Sequence, residues 1–265
     1  METDTNILLV LDSSNLQARS FFAASAGKEG QNVTGLARKT LTQMLRTLLR
    51  ETGDPLRRVA AFDPGGQTFR HRLYPAYKSS RGPKPEGYAE FAALVPGILA
   101  EHGFELYVAP DHEADDAIAA IADQALPSGW RTVICSGDLD LFQLVVGNGP
   151  GPGTFILRYD KGTYSSIGAR GVTEKFGVPP HRVALWKSLA GDVGDSYPGC
   201  PKLGPVAAKR LALKYGSPKA LWAALPELQR SDRAALELAG FAHLELMHTL
   251  ARLNHRATLR TLEVS

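Results

Sequence analysis

Only two cysteines occur in the 265 residues, Cys135 and Cys200, and they do not form a C-x-x-C pair. The chain therefore lacks the cysteine spacing of zinc sites and dithiol redox motifs, and it lacks the cysteine density of a disulfide framework. This usage fits a reducing compartment. We expect Cys135 to be an ordinary buried thiol.

A signal peptide, a membrane-spanning run and a strong charge bias are missing as well. Met1-Glu2-Thr3-Asp4 lacks the basic start of a signal peptide, and no apolar run approaches the length that spans a bilayer. The net charge of +3 and the pI of about 8.8 are only mildly basic and do not by themselves indicate a nucleic-acid partner. With 44% hydrophobic residues the chain can bury a good core. We expect a cytoplasmic protein without membrane contact.

Four short apolar segments predict the strands of a mainly parallel sheet. Each combines a continuous aliphatic run with acids at or soon after its end, a pattern typical of strands buried on both faces. These segments are residues 6–12, 58–63, 104–109 and 132–140. Residues 36–51 and 88–102 have lengths that suit crossover helices. The sequence therefore predicts an α/β fold with a mainly parallel central sheet and flanking helices.

The later part of the chain has a different character. The glycine- and proline-rich residues 147–153 predict a loop, and residues 155–166 predict a β-hairpin that turns at Asp160-Lys161. Helical sequence follows from residue 173, with Pro179-Pro180 opening one helix, and residues 211–260 predict amphipathic helix.

Residues 111–118 contain four acids within six positions, Asp111, Glu113, Asp115 and Asp116, before an apolar run. In the simplest interpretation Asp111 caps a helix and the other acids interact with its dipole. That dipole offsets one or two acids by a few tenths of a kcal/mol each, so four acids at this density indicate a cation. Without a metal these carboxylates repel one another.

Further acids follow the other predicted strands. In open α/β sheets the site lies beyond the carboxyl ends of the strands, and seven acids from four segments project there: Asp12, Asp63, Glu113, Asp115, Asp116, Asp138 and Asp140. Any one of them could instead be a helix cap or a turn residue. Carboxylates without histidine or cysteine partners suit magnesium or manganese. Two more acids, Asp192 and Asp195, lie in a glycine-flanked segment after a predicted helix.

The segment from residue 64 to 85 is basic and contains no acid. Arg70, Arg72, Lys78, Arg81 and Lys84 alternate with the aromatic residues Phe69, Tyr74 and Tyr77. Cations that hold phosphates and rings that stack on bases suit a single-stranded nucleic acid. The alternative is a solvated, flexible insertion.

Residues 198–210 form a glycine-punctuated turn that leads into a basic helix. This is the form of a helix-hairpin-helix element, in which backbone N–H groups bind phosphate without reading sequence. We expect Gly199, Gly204 and Lys209 to contact duplex phosphates.

Five motifs, in this order, resemble those of the 5′-nuclease family, which includes flap endonucleases and the 5′–3′ exonuclease domain of bacterial DNA polymerase I. The resemblance covers roughly residues 7–210. The motifs are Leu11-Asp12-Ser13-Ser14; Phe62-Asp63 with Thr68-Phe69-Arg70-His71 and Tyr74-Pro75-Ala76-Tyr77-Lys78; Glu113-Ala114-Asp115-Asp116; Ser136-Gly137-Asp138-Leu139-Asp140; and Gly191-Asp192-Val193-Gly194-Asp195.

The resemblance implies a PIN-like α/β nuclease core over residues 1–178, with a helical arch at residues 64–87. Residues 179–265 would form a helical lobe that carries the DNA-binding helix-hairpin-helix. The implied metal site holds two magnesium ions, for which manganese would substitute, on nine acids: Asp12, Asp63, Glu113, Asp115, Asp116, Asp138, Asp140, Asp192 and Asp195.

Catalytic and DNA-binding roles follow from the same resemblance. Tyr77, Lys78 and Arg81 match arch residues that face the scissile phosphate, and Lys187 matches a second active-site lysine. The expected DNA-binding residues are Arg70, Tyr74, Gly199, Lys202, Gly204, Lys209 and Arg210. Lys202 replaces a glycine of the family pattern, which puts the duplex geometry and a possible potassium site at the hairpin in question.

The resulting hypothesis is a magnesium-dependent nuclease that cuts DNA near junctions between a 5′ single strand and a duplex. No polymerase sequence follows in the chain, so we expect a free-standing, monomeric, nucleoid-associated form. A non-catalytic branched-DNA-binding protein is one alternative, and it predicts gaps in the carboxylate set. A related RNA nuclease is another.

Overall fold

The computed structural model describes residues 6–26, 32–53, 55–160 and 163–264. The strands of these residues are β1 (Ile7–Asp12), β2 (Arg57–Phe62), β3 (Glu105–Val108), β4 (Arg131–Cys135), β5 (Gly153–Asp160), β6 (Thr163–Ile167) and β7 (Arg260–Thr261). They form one sheet in the order β6-β5-β4-β1-β2-β3-β7. The five inner strands are parallel to one another, and β6 and β7 are antiparallel at the two edges. The predicted mainly parallel α/β sheet is confirmed.

The central strand shows why a continuous apolar run forms here. Leu8 and Val10 lie in the hydrophobic core on one side of the sheet. Leu9 and Leu11 lie in the core on the other side. Because alternate residues of a strand point to opposite faces, both sets must be apolar in a strand that is covered on both sides.

Helices cover both faces. On one face lie α1 (Ser13–Ser25), α2 (Val33–Glu51) and α4 (Tyr88–Glu101), and α5 (Ala114–Ala125) packs on the other. The helices expected at residues 36–51 and 88–102 are confirmed. The sequence did not predict α1, because its buried face includes Ser13 and Ser20 and its apolar periodicity is weak.

The segment at residues 64–87, expected to be a helical arch, contains one short helix, α3 (Phe69–Leu73). Turns and extended chain make up the rest. The strands of the expected hairpin are confirmed as β5 and β6, and its turn residues Lys161 and Gly162 lie outside the described residues.

The later part of the chain is mostly helical: α6 (Ala169–Phe176), α7 (Val183–Ala190), α8 (Pro205–Lys214), α9 (Pro218–Ala223), α10 (Arg230–Ala239) and α11 (Phe241–Ala251). The prediction of helix throughout residues 211–260 is wrong in detail. Pro218 opens α9, Gly240 separates α10 from α11, and Arg260 lies in β7, which pairs with β3. Proline cannot continue a helix from the preceding turn, which explains the first break.

These helices share one hydrophobic core with α5 and the adjoining face of the sheet. The predicted domain boundary at residue 178 lies between two helices, α6 and α7, that contribute to the same hydrophobic core. Cys135 and Cys200 are both free and buried, as expected for Cys135. Among the described residues no helix is both long and apolar enough to cross a membrane.

Candidate active site

Five carboxylates from four segments line one cavity beyond the carboxyl ends of the central strands. Asp12 ends β1 and Asp63 follows β2, while Glu113 and Asp115 lie at the start of α5 and Asp138 follows β4. The cavity has a volume of about 490 Å³. Parallel strands bring these acids together because their carboxyl ends share one edge of the sheet.

Hydroxyl and backbone groups orient two of the acids. Asp12 accepts hydrogen bonds from the Asn15 N–H (2.9 Å) and from the Ser136 hydroxyl (2.6 Å). Asp63 accepts from the Ser14 hydroxyl (2.6 Å) and from the first N–H of α5 (2.8 Å). Ser14 and Ser136 belong to the recognised motifs, but their position in the sequence did not assign them this orienting role.

The acids of the cavity disfavour one another's ionisation. Burial raises the pKa of Asp12 to about 6, and the charges of Asp138 and Asp63 add to this effect. Burial also raises the pKa of Asp115 well above its usual range, with further contributions from Asp138 and Asp12. A divalent cation would relieve this repulsion.

The donor chemistry fits a hard cation. The residues that line the cavity include five carboxylates and neither a histidine nor a cysteine, and this donor set suits magnesium or manganese. Within the part of the chain that the structure describes, no group of three or more His, Cys, Asp or Glu side chains is spaced to hold a metal ion. Protein cations and hydroxyl groups contact most of the nine acids instead.

The segment at residues 64–87 supplies several of these contacts. Lys78 Nζ binds Glu113, and Arg81 Nη2 lies 3.0 Å from Asp195 Oδ1. The Tyr77 hydroxyl lies 2.8 Å from Glu113 and 3.0 Å from Asp195. Burial and these two carboxylates raise the pKa of Tyr77, so the phenol stays protonated.

Lys78 is held in a strained conformation at the centre of these contacts. Its φ of +55° lies in the left-handed region, and its N–H donates to the Asp195 carbonyl (3.0 Å). Burial alone would lower the pKa of Lys78, but the charges of Glu113, Asp195 and Asp115 raise it. The side chain therefore remains a cation beside the acidic cavity.

A second group of acids surrounds Lys187, on α7. Its Nζ binds Asp140 and lies 2.5 Å from Asp192 Oδ2. Burial raises the pKa of Asp140 to about 6 despite the ion pair. At Asp192, burial would raise the pKa, but Lys187 lowers it below its usual range. The two carboxylates that share this lysine therefore differ in pKa: that of Asp140 is raised and that of Asp192 is lowered.

Two sequence-based assignments are contradicted. Asp116, expected to bind metal, is fully buried and accepts from Arg70 Nη1 (2.6 Å) and Nη2 (2.8 Å). Arg70, expected to bind DNA, is 1% exposed, and it also donates to the carbonyls of Leu250 and Arg252. Its guanidinium is thus occupied inside the protein.

The two glycines that were expected to contact phosphate, Gly199 and Gly204, lie between α7 and α8 and have different roles. Gly199 is buried with a φ of +69°, and a Cβ built on it would lie 2.3 Å from the Gly191 nitrogen. Its carbonyl bonds His243 Nε2 (2.7 Å), so this glycine serves close backbone packing, contrary to the expected phosphate contact. Gly204 is exposed and forms the N-cap of α8.

The remaining expected DNA-binding residues differ in how freely their side chains reach solvent. Lys202 is exposed and keeps a glycine-like φ of +62°. Lys209 is half-buried beside Gly177, and Arg210 pairs with Asp232 (2.6 Å). Tyr74 is half-buried against a small hydrophobic cluster.

Comparison with known families identifies the class of this fold and site. The model of the family described as 5′-3′ exonuclease, N-terminal resolvase-like domain, matches residues 7–177. The chain therefore belongs to this family of nucleases, and the resemblance seen in the sequence is confirmed.

Two curated relatives are DNA polymerases. The chain is 34% identical over 268 residues to the thermostable DNA polymerase I of Thermus filiformis, with 100% of this chain and 30% of that protein covered. It is also 34% identical over 218 residues to DNA polymerase I of Mycobacterium tuberculosis, with 81% and 24% covered. The chain thus spans less than a third of the length of these relatives.

Solved structures support the fold. The flap endonuclease of bacteriophage T5, in a complex with DNA and metal ions, has a TM-score of 0.74 at 17% identity, with 94% of this chain and 89% of that chain covered. Human GEN1, in complex with Holliday junction DNA, has a TM-score of 0.57 at 14% identity, with 97% and 63% covered. At these identities the likeness establishes a shared fold.

Proposed function

We propose that this chain is a magnesium-dependent, structure-specific 5′ nuclease that hydrolyses DNA phosphodiester bonds near junctions of a 5′ single strand with a duplex. The observation that carries the proposal is the cavity in which Asp12, Asp63, Glu113, Asp115 and Asp138 face Lys78 and Arg81. Family membership supports the same reaction class.

Eight carboxylates remain available to metal once Asp116 is set aside: Asp12, Asp63, Glu113, Asp115, Asp138, Asp140, Asp192 and Asp195. Divalent metal ions, when bound, would supply an activated water and stabilise charge on the attacking and leaving oxygens. The hydroxyls of Ser14 and Ser136 would hold Asp63 and Asp12 in orientation for such ligation.

The cations of residues 64–87 would act on the phosphate. Lys78 and Arg81 now pair with Glu113 and Asp195. A substrate phosphate would compete for both side chains, which could then offset its developing negative charge. Tyr77, which stays neutral, would donate a hydrogen bond and hold Glu113 in place.

Duplex contacts would come from the start of α8. Its exposed N-cap, Gly204, leaves backbone N–H groups of the first helical turn open to phosphate. Lys202 and Lys209 add positive charge on the same turn and helix. The strained backbone of Lys202 preserves the turn that a glycine would form, and a potassium ion at this turn remains part of the proposal.

The eight remaining carboxylates argue against a purely DNA-binding role, because a protein without cleavage activity has no need to concentrate these repelling acids. One chain supplies the whole acid set, so we propose that a monomer is sufficient. Association with the nucleoid would follow from DNA binding.

The decisive experiment is a cleavage assay on end-labelled 5′-flap, nicked and blunt DNA duplexes, each with magnesium, with manganese or with EDTA. We expect metal-dependent cleavage near the flap junction, and none by Asp115→Asn. An RNA version of the flap separates the DNA from the RNA nuclease hypothesis. Binding of the flap without cleavage in either metal would overturn the proposal in favour of a binding protein.

A further inference from the structure

A second cavity, lined in part by His112 of the acidic motif, has a volume of about 530 Å³. We call it the lateral pocket; its walls include Phe69, His112, His248, Arg252, Asn254 and Arg256. His112 and Phe69 directly adjoin Glu113 and Arg70 in the chain. The lateral pocket is therefore lined by residues of the acidic motif and of the basic segment at residues 64–87, both of which also contribute residues to the cavity of the candidate active site.

The lining of the lateral pocket contains no acid. Arg252 and Arg256 are exposed, and neither has a carboxylate partner within the described part of the chain. By contrast, several other exposed arginines are paired, as in Arg57 with Glu105 and Arg233 with Glu237. At the rim, His255 Nδ1 lies 3.5 Å from Asp123.

Hydrogen bonds of Asn254 fix one part of the lining of the lateral pocket. The Asn254 side-chain nitrogen lies 2.8 Å from His112 Nε2, and the Asn254 N–H donates to Asp116 Oδ1 (2.8 Å). Asn254 Oδ1 in turn accepts from the Arg256 N–H (3.0 Å). The segment that carries both arginines is thereby fixed to the first turn of α5.

The charged side chains that line the lateral pocket near neutral pH are the two arginines, Arg252 and Arg256. Burial, together with the neighbouring charge of Arg252, lowers the pKa of His248 to about 4, so this imidazole is neutral near pH 7. An acid-free cavity with two unpaired guanidinium groups suits an anion, and its volume suits a nucleotide.

We propose that the lateral pocket binds a phosphate of the 5′ single strand after that strand has passed residues 64–87. The choice of ligand rests on position, because Phe69, which lines the lateral pocket, begins α3, the helix of the basic segment that is proposed to contact the single strand. The proposal rests on the proposed function, since it assigns part of the same substrate to a second place on the protein.

The test compares two double variants of equal charge. Arg252→Gln with Arg256→Gln removes the unpaired guanidinium groups of the lateral pocket. Arg170→Gln with Arg233→Gln removes two exposed arginines that pair with glutamates on α6 and α10. Thermal unfolding of both variants checks that the fold is retained.

Fluorescence anisotropy in EDTA would measure the affinity for flaps of a single nucleotide and of about ten nucleotides, a length within the usual range of single-strand sites. For the lateral-pocket variant we expect about a three- to tenfold loss of affinity for the long flap and none for the short one. The salt dependence for the long flap should become shallower by about 0.7 for each phosphate that the variant no longer neutralises. The control variant should match wild type on both flaps.

Equal losses on both flaps, or the same loss in the control variant, would overturn the proposal. A titration with a deoxynucleoside 5′-monophosphate tests a free product as the ligand. Arginine-dependent binding of this nucleotide without any effect of flap length would also overturn the strand assignment. If wild type binds a single-stranded oligonucleotide through these arginines but cleaves no DNA, the proposed function fails while the lateral pocket stands.

Discussion

Arg70 and Asp116 form a bidentate ion pair in which the two side chains are only 1% and 0% exposed. They belong to segments 46 residues apart. Arg70 also binds carbonyl groups at the end of α11, so this one guanidinium connects α3, α5 and the carboxyl-terminal helices. The pair therefore supports the architecture around the active site.

The first prediction concerns the stability that depends on this pair. Arg70→Ala leaves the Asp116 charge buried without its partner, so we expect the free energy of unfolding to fall by about 3–5 kcal/mol. Urea denaturation in EDTA would measure the change.

Arg72→Ala is the matched control, because Arg72 lies two residues away and its pair with Asp111 is 55% and 44% exposed. Arg72→Ala should leave the free energy of unfolding nearly unchanged, because solvent screens an exposed ion pair. Replacing Arg70 by Met together with Asp116 by Leu should recover much of the lost stability. A change below about 1 kcal/mol in Arg70→Ala would contradict the structural role.

The Arg70–Asp116 pair also shows which features of the structure could be predicted from the sequence and which could not. The sheet was predictable because apolar runs followed by acids are local patterns. The partner of Asp116 was not predictable, because charge and aromatic content made Arg70 resemble its exposed neighbours. The simplest interpretation of the acidic motif, in which its acids interact with the start of a helix, is correct for Asp116. This residue lies in the first turn of α5, and its Oδ2 accepts a hydrogen bond from the Glu113 N–H (3.1 Å).

The grouping of the acids was only partly predictable. The position of the acids at one sheet edge follows from strand polarity. Which acids lie in the cavity and which lie around Lys187 depends on side-chain contacts between distant segments. From chain order, Asp138 belongs with Asp140, Asp192 and Asp195. The structure places it with Asp12 and Asp115 in the first cavity. The strand β7 was missed because two residues pairing with an edge strand leave no periodic signal.

The second prediction compares two acids in EDTA near pH 8. Charge density alone predicts that neutralising either Asp115 or Asp192 should raise the melting temperature. For Asp192→Asn the structure predicts the opposite change, a lower melting temperature. Asp115 has a raised pKa, so its ionised form destabilises the fold, and Asp115→Asn should raise the melting temperature.

Asp192 has a lowered pKa, so its charge stabilises the fold at pH values above 3.8, its usual pKa. Asp192→Asn should therefore lower the melting temperature, by about 2–4 °C for each kcal/mol lost. The difference from wild type should shrink as the pH falls through the folded-state pKa of Asp192. Calorimetric scans at a series of pH values would measure this difference in melting temperature. If Asp115→Asn and Asp192→Asn both raised the melting temperature at pH 8, the role assigned to Lys187 would be contradicted.

The third prediction separates chemistry from binding. If Lys78 offsets charge that develops on the scissile phosphate, Lys78→Ala should lower turnover far more than it lowers affinity for the flap substrate. Single-turnover kinetics and anisotropy would measure the two quantities. Lys219→Ala, an exposed lysine on α9, should leave both unchanged. Equal losses of turnover and affinity in Lys78→Ala would instead indicate simple tethering of the DNA backbone.

The fourth prediction concerns duplex binding by α8. Lys209→Ala should make the salt dependence of duplex affinity shallower by about 0.9, the value expected when one phosphate of B-form DNA is no longer neutralised. Arg210→Gln on the same helix should change the slope less, because Asp232 already neutralises Arg210. Affinity measured over a range of salt concentrations provides both slopes. An unchanged slope in Lys209→Ala would remove this residue from the interface.

The last prediction is that the acids serve two metal ions with unequal roles. Magnesium takes about six oxygen ligands and commonly keeps several waters, so eight available carboxylates exceed what one ion can use. Five of the eight line the cavity, Asp140 and Asp192 surround Lys187, and Asp195 contacts Arg81 and Tyr77. The first two groups suggest one ion for each.

Asp115→Asn should therefore abolish cleavage, whereas Asp192→Asn should chiefly raise the magnesium concentration that cleavage requires. Manganese titrations of the Lys78→Ala variant, followed by calorimetry, should resolve two binding events. Occupancy should also stabilise the fold, by about 2.7 kcal/mol at a metal concentration of 100 times the Kd for one site. Metal must displace Lys187 from Asp140 and Asp192 to use the second group, so the weaker event should be the one that Asp192→Asn removes. A single binding event in the protein with all its carboxylates present would refute the two-metal assignment.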